Sequence, residues 1–473
     1  PTTIMRIFGI QTLSLAVNCD SRFDIGNTDV MLVLDTTGSM ADSISNGSGG
    51  SVVKLAALQQ AVKDFYDTLG PGSDSSGRIR YGFMPYSSTV NVGYQLPTED
   101  LIGGTSGDTW NYQTRRAIYE TSSQPVICYR RYGLNNCYAT STDANAATTS
   151  STLSPSSCMS YSNNNGNGNP LNSGSAPSTV VTTTYSYDSF NGSTSSPSGS
   201  NNRKCVRKES AVTKTYSRTN SGNSDTKFYS WEYGQYPVDL TGVIAGNSVA
   251  NPSYNASSPN DVNSTAVAST MKWSGCIEER STDSNISATT STASIPSTAF
   301  DLQIDTAATD TETRWRPHLP QVEFKRNGRW MNDNIDNTKA LKAESDTYRA
   351  GSGGWNACPS QARKLTSYAS RTAIPTGQSS SYDSYVDGLV AVGGTYHTIG
   401  MMWGARFLSP TGIFADENAS APNGFNISRH IVFMTDGTMS AYNNVYGAWG
   451  YQSLDQRDGP SGAVSYTHLR AHE

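Results

Sequence analysis

Charge is scarce in this chain. Only 15 % of its 473 residues are Asp, Glu, Lys or Arg, and the net charge is −5. There is no long basic tract to neutralise a phosphate backbone, so nucleic acid is not an expected partner. No run of 18 apolar residues occurs, so no transmembrane helix is expected within these residues. The five histidines are scattered and no two cysteines stand as CxxC, which argues against a zinc ribbon or a thioredoxin-type site. HExxH, GxSxG, GxGxxG and Walker loops are all missing, and no enzyme is expected. The chain opens on Pro1 rather than Met, so a start, with any signal or anchor, is expected upstream. Residues Val464–Glu473 resemble a translated sequencing adapter; they hold His468 and His472 and are set aside.

What is present is polar and uneven. Gly, Ser, Thr, Asn and Tyr are abundant, as in many secreted and envelope proteins. Cys19 stands apart. Cys128, Cys137, Cys158, Cys205, Cys276 and Cys358 share one loop-rich segment, as a disulfide framework in an oxidising compartment would. Their pairing stays open.

The beginning and the end are patterned. Leu13, Leu15 and Val17 alternate, as in a half-buried strand. Val30–Leu34 is a continuous apolar run, the mark of a parallel strand buried on both faces, and it stops at Asp35. Leu55, Leu58, Val62, Phe65 and Leu69 fall on one helical face that Gly70-Pro71 would end. Ile79, Tyr81 and Phe83 alternate, as do Val90, Val92 and Tyr94, suggesting a hairpin or a pair of strands. Near the end, Ile399, Met402, Trp403 and Phe407 have helical spacing after Gly393-Gly394-Thr395. Ile431–Met434 reads as a second buried strand, ending in Thr435-Asp436-Gly437. Strands alternating with helices imply an α/β open sheet.

Between these blocks the pattern dissolves. Residues 139–202 contain no Lys, Arg or Glu and only two Asp. So little apolar surface is expected to leave this stretch without order. Three denser islands, Met271–Arg280, Arg314–Phe324 and Ala357–Leu365, are the parts of the insertion expected to fold. The basic group Arg203, Lys204, Arg207 and Lys208 reads as a solvated face.

Both apolar strands end in an aspartate, and open α/β sheets bind ligands at the carboxyl ends of their strands. Asp35, Thr37 and Ser39 alternate, so their oxygens can converge while Gly38 turns the backbone. Asp436 comes from the second strand and Thr395 from the start of a helix. All five are hard oxygen donors, suited to one divalent cation: Mg²⁺ foremost, with Mn²⁺ or Ca²⁺ as alternatives. Three hydroxyls, two carboxylates and water would leave a position for an incoming carboxylate. The loop Asp35-Thr-Thr-Gly-Ser39 also resembles the Asp-Thr-Gly loop of aspartic proteases, but Thr37 breaks the spacing and the second loop reads Thr-Asp-Gly.

Asp35-x-Thr37-x-Ser39, Thr395 before a helix and Asp436-Gly437 after a strand resemble the metal-ion-dependent adhesion site of von Willebrand factor A domains, with Thr37 in place of the middle serine. That resemblance implies a Rossmann-like open sheet flanked by helices. It also implies binding of a partner protein whose Glu or Asp completes the metal's coordination. The phrases Asp29–Met40, Trp273–Arg280, Thr395–Arg406 and Arg429–Gly437 are similar, more narrowly, to TadG-type envelope proteins of tight-adherence (Flp) pili. This implies a bacterial envelope location, periplasmic or exposed, pilus or envelope components as partners, and a membrane anchor upstream of this chain. The expected organisation is an N-terminal strand region (1–27), a first A-domain part (28–96), a Ser/Thr/Asn/Gly-rich insertion (97–381), a second, C-terminally incomplete A-domain part (382–463) and the adapter-like tail (464–473). A metal-independent scaffold, in which the insertion binds the partner, is the alternative.

Overall fold

The computed structural model describes residues 26–45, 49–71, 77–104, 107–163, 178–198, 203–251, 269–283, 285–286, 290–323, 357–437, 439 and 445–457. The alternation at 13–17, Cys19 and the tail 464–473 lie outside them. In chain order the main elements are β1 (Asn27–Asp35), α1 (Lys54–Leu69), β2 (Ile79–Tyr86), β3 (Thr109–Ser122), β4 (Val126–Arg131), β5 (Ser178–Phe190), β6 (Cys205–Ser217), β7 (Thr226–Asp239), β8 (Arg363–Thr366), α2 (Tyr382–Asp387), α3 (His397–Leu408) and β9 (Ile427–Met434). The fold is mixed α/β, with several sheets and few helices. No helix among the described residues is long and apolar enough to cross a membrane.

The central sheet has four strands in the order β8-β2-β1-β9. β1 runs parallel to β2 and to β9, with Leu34 level with both Pro85 and Met434, while β8 pairs antiparallel with β2. The carboxyl ends of three strands therefore lie at one edge.

β1 is apolar at successive positions because it is covered on both faces. Val30, Leu32 and Leu34 pack with Leu58, Val62 and Tyr66 of α1. Met31 and Val33 pack in the core that contains Ile399, Met402 and Trp403 of α3. Two glycines bring α3 close to the sheet: a Cβ at Gly400 would lie 2.5 Å from Tyr86 Cδ1, and one at Gly404 would lie 2.5 Å from Val33 Cγ2. The buried face of α1 repeats every four residues, so Tyr66 takes the place expected of Phe65. Its hydroxyl donates to the Tyr368 carbonyl at 2.8 Å.

Two expectations about strands are corrected. Ile431–Met434 is half-buried rather than buried, because β9 pairs only with β1 among the described residues and is an edge. Val90 and Val92 are buried, but no second strand follows β2. The backbone there bonds to several segments: Asn91 bridges to both Cys276 and Gln361, and Tyr94 is half exposed.

The insertion is more ordered than its composition implies. Short helices cover Ser141–Ala146 and Pro155–Asn163, and β5 follows. β3 to β7 form a five-stranded antiparallel sheet in the order β4-β6-β3-β7, with β5 on the other side of β6. Thr, Val and Tyr favour the pleated backbone even where burial is partial. Long ladders and cross-strand pairs such as Arg116–Glu232 at 2.6 Å hold this sheet where a core is thin. The basic group at 203–208 belongs to it: Arg207 reaches Glu209 at 2.8 Å and stacks on Tyr185.

The six expected cysteines form three disulfides: Cys128–Cys137, Cys158–Cys205 and Cys276–Cys358. The last joins the first and third islands. Islands and α3 close around one buried carboxylate. Glu279 accepts the indole N–H groups of Trp403 at 2.6 Å and Trp315 at 3.1 Å, and pairs with Arg406 at 2.7 Å. Both members of that ion pair are fully buried.

Candidate functional site

At the carboxyl edge of the sheet, four loops meet. The loop after β1 is tied to its neighbours by backbone bonds: Thr36 N–H donates to the Tyr86 carbonyl, Val392 N–H to the Thr36 carbonyl and Gly38 N–H to the Gly393 carbonyl. Gly393 has φ of 75°, and a Cβ there would lie 2.9 Å from Ser87 Oγ. Gly394 N–H donates to Ser88 Oγ at 2.7 Å, so the turn before α3 is locked to the loop after β2.

Asp35 is completely buried, and its carboxylate is engaged on both sides. One oxygen accepts Thr37 N–H at 3.0 Å and the Thr37 hydroxyl at 2.7 Å. The other accepts the Thr435 hydroxyl at 2.7 Å. Thr37 Oγ1 lies 3.1 Å from Ser39 Oγ. Ser39 lies near enough to Asp436 to help hold its carboxyl down, and that carboxylate pairs with Lys54 Nζ at 2.8 Å. Asp35, Thr37, Ser39 and Asp436 thus form one continuous chain of polar contacts. Thr395 is buried on the turn that starts α3, two residues from Gly393.

The electrostatics follow from burial and these bonds. Burial pushes the Asp436 carboxyl up, but Lys54 and Ser39 together hold it below its ordinary value. The hydrogen bond to Asp436 raises Lys54 in turn. Burial lowers His397, against the pull of Asp35 and Asp436, and its Nε2 lies 3.1 Å from Thr435 Oγ1. Burial and then the nearby Asp35 charge raise the Tyr86 phenol.

The donor chemistry fits a hard cation. Thr37 gives its hydroxyl proton to Asp35, so Ser39 is the donor to Thr37, and lone pairs of both hydroxyls remain for a cation. Among the described residues no group of three or more His, Cys, Asp or Glu is placed to hold a metal. A cation here would therefore depend on hydroxyls and water, as oxygen-loving Mg²⁺ tolerates and zinc does not.

Two participants, Thr435 and Lys54, escape sequence reasoning, and His397, which the sequence places beside the site as a packing or capping residue, joins them. Thr435 anchors Asp35, His397 supports Thr435, and Lys54 brings a fixed positive charge. Comparison of the chain with protein-family models, with curated proteins and with solved structures finds no match.

Proposed function

We propose that this chain is a binding module of the von Willebrand A type. One divalent cation, Mg²⁺ foremost with Mn²⁺ or Ca²⁺ as alternatives, is held at the carboxyl edge of the central sheet. The observation that carries the reading is the line of contacts from Asp35 through Thr37 and Ser39 to Asp436. Thr37, Ser39 and Thr395 would supply hydroxyl oxygens, and Asp35 and Asp436 would orient them. The bound cation would supply an electrophilic point for a Glu or Asp carboxylate of a partner protein. The chain's own residues bind and orient; none is assigned a covalent step.

More particularly, the chain is a TadG-like envelope protein acting in tight-adherence pilus assembly or surface adherence. Support comes from the sequence phrases around Asp35, Cys276, Thr395 and Asp436. The three disulfides also suit an oxidising compartment.

Calorimetric titration of Mg²⁺, Mn²⁺ and Ca²⁺ tests the module reading. Saturable binding at one site, lost in Ser39→Ala, is expected. Binding that survives Ser39→Ala unchanged contradicts it. The second reading, a metal-independent scaffold, draws on the five-stranded sheet of the insertion. It predicts partner binding that survives chelation.

A further inference from the structure

Lys54 is placed where a lysine is electrostatically disfavoured. It is the first residue of α1, whose N-terminal end carries partial positive charge, and no acidic residue in the first turn offsets it. The backbone holds it there. A small hairpin pairs Ser43–Ser45 with Ser51–Val53, and Lys54 N–H donates to the Asp42 carbonyl. The hairpin thus joins the loop that carries Ser39 directly to the start of α1. The ammonium reaches across to Asp436 Oδ2 at 2.8 Å, and the two side chains keep only 27 % and 12 % of their surfaces exposed. Asp35, Asp42 and Asp436 all act on it with attractive charge.

We infer that Lys54 is a tethered competitor for the cation site, one that occupies the Asp436 carboxylate and weakens binding of a divalent ion there. This inference rests on the cation-binding reading and adds what sets the affinity. An ion held by Thr37 and Ser39 sits beside the carboxylate that Lys54 neutralises. It meets a positive charge at short range. Entry of the ion therefore requires Lys54 to move away or to be tolerated at a cost in affinity. A partner that delivers a carboxylate would also offer the displaced ammonium a new counter-ion. The cation-free site is then electrostatically satisfied rather than strained, and it loads only at high free ion concentration or together with an acidic partner.

The test uses the full chain and calorimetry with Mg²⁺ and Mn²⁺, with folding verified by circular dichroism. Lys54→Met keeps most of the stem and removes the charge; Lys54→Gln serves as a second neutral variant, and Lys54→Arg keeps the charge. The inference expects both neutral variants to bind at least about tenfold more tightly than wild type. Lys54→Arg is expected to bind like wild type. Equal or weaker binding by the neutral variants, with Asp35→Ala abolishing binding, overturns the role of Lys54 and leaves the cation site standing. Absence of binding in wild type and in every Lys54 variant overturns both.

Discussion

Asp35 and Thr435 stand 400 positions apart in sequence, yet their side chains meet at 2.7 Å across two parallel strands. The contact is possible because β1 and β9 pair in register up to Leu34 and Met434, leaving the next residue of each side by side. It joins the two ends of the sequence at the candidate site. Thr435→Val should lower stability by about 1 kcal/mol, the usual net worth of such a bond. The effect should be strongly non-additive with Asp35→Ala in a denaturant double-mutant cycle. Simple additivity would mean that the two side chains do not depend on each other.

Glu279 is the acceptor on which three buried side-chain donors, Trp403, Trp315 and Arg406, and the Arg280 backbone N–H converge. Glu279→Ala leaves the Arg406 guanidinium and two indole N–H groups without that acceptor, in a core with no water access. A loss of roughly 3–5 kcal/mol is expected from urea unfolding. Glu279→Leu combined with Arg406→Met should cost clearly less, because no uncompensated charge stays behind. A loss below about 1 kcal/mol in Glu279→Ala would remove this network from the account.

His318 gives a pH test. It is fully buried, its ring stacks on Tyr446 at 4.1 Å, and burial lowers its pKa from 6.5 to about 4. The unfolded chain takes up a proton near pH 6.5 that the folded protein refuses until about pH 4. Stability from this group is therefore full above pH 6.5 and falls as pH drops towards 4, by roughly 1.4 kcal/mol per pH unit. Burial raises Asp301 to about 6, which gives the opposite slope in part of the same window. The observable is therefore the difference between wild type and His318→Phe, in which the contribution of Asp301 cancels. A difference that does not change between pH 4 and 7 would contradict the assignment.

The disulfides predict where reduction acts. Cys158–Cys205 closes a separation of 47 residues within the insertion, and Cys276–Cys358 closes 82 between two islands. Cys158→Ser with Cys205→Ser should open the region around β5 and β6 to limited proteolysis while β1 and α1 stay protected. The expected cost is about 2–4 kcal/mol. Unchanged cleavage of that region would count against the bond's role.

The elements legible in the sequence are those whose burial is complete on one or two faces. β1, α1 and α3 announce themselves through Val30–Leu34, the repeat from Leu55 to Leu69 and the spacing of Ile399, Met402, Trp403 and Phe407. Asp35, Thr37, Ser39 and Asp436 were readable because the ends of apolar strands are conspicuous, and the structure brings these four together. β5 was hidden because Ser178–Phe190 is half exposed along most of its length, so no apolar period marks it. Lys54 and Thr435 were hidden for another reason. Their roles depend on which strand lies beside which, and pairing between positions so distant leaves no local pattern.

In the proposed binding module, Thr37 and Ser39 present oxygens to a divalent cation between Asp35 and Asp436. Anomalous diffraction from a crystal grown with Mn²⁺ tests it most directly. The account predicts one strong peak within coordination distance of the Thr37 and Ser39 hydroxyls, absent in Asp35→Ala. Full occupancy of Mn²⁺ elsewhere, with Lys54 still bound to Asp436 and no peak beside Ser39, would contradict it.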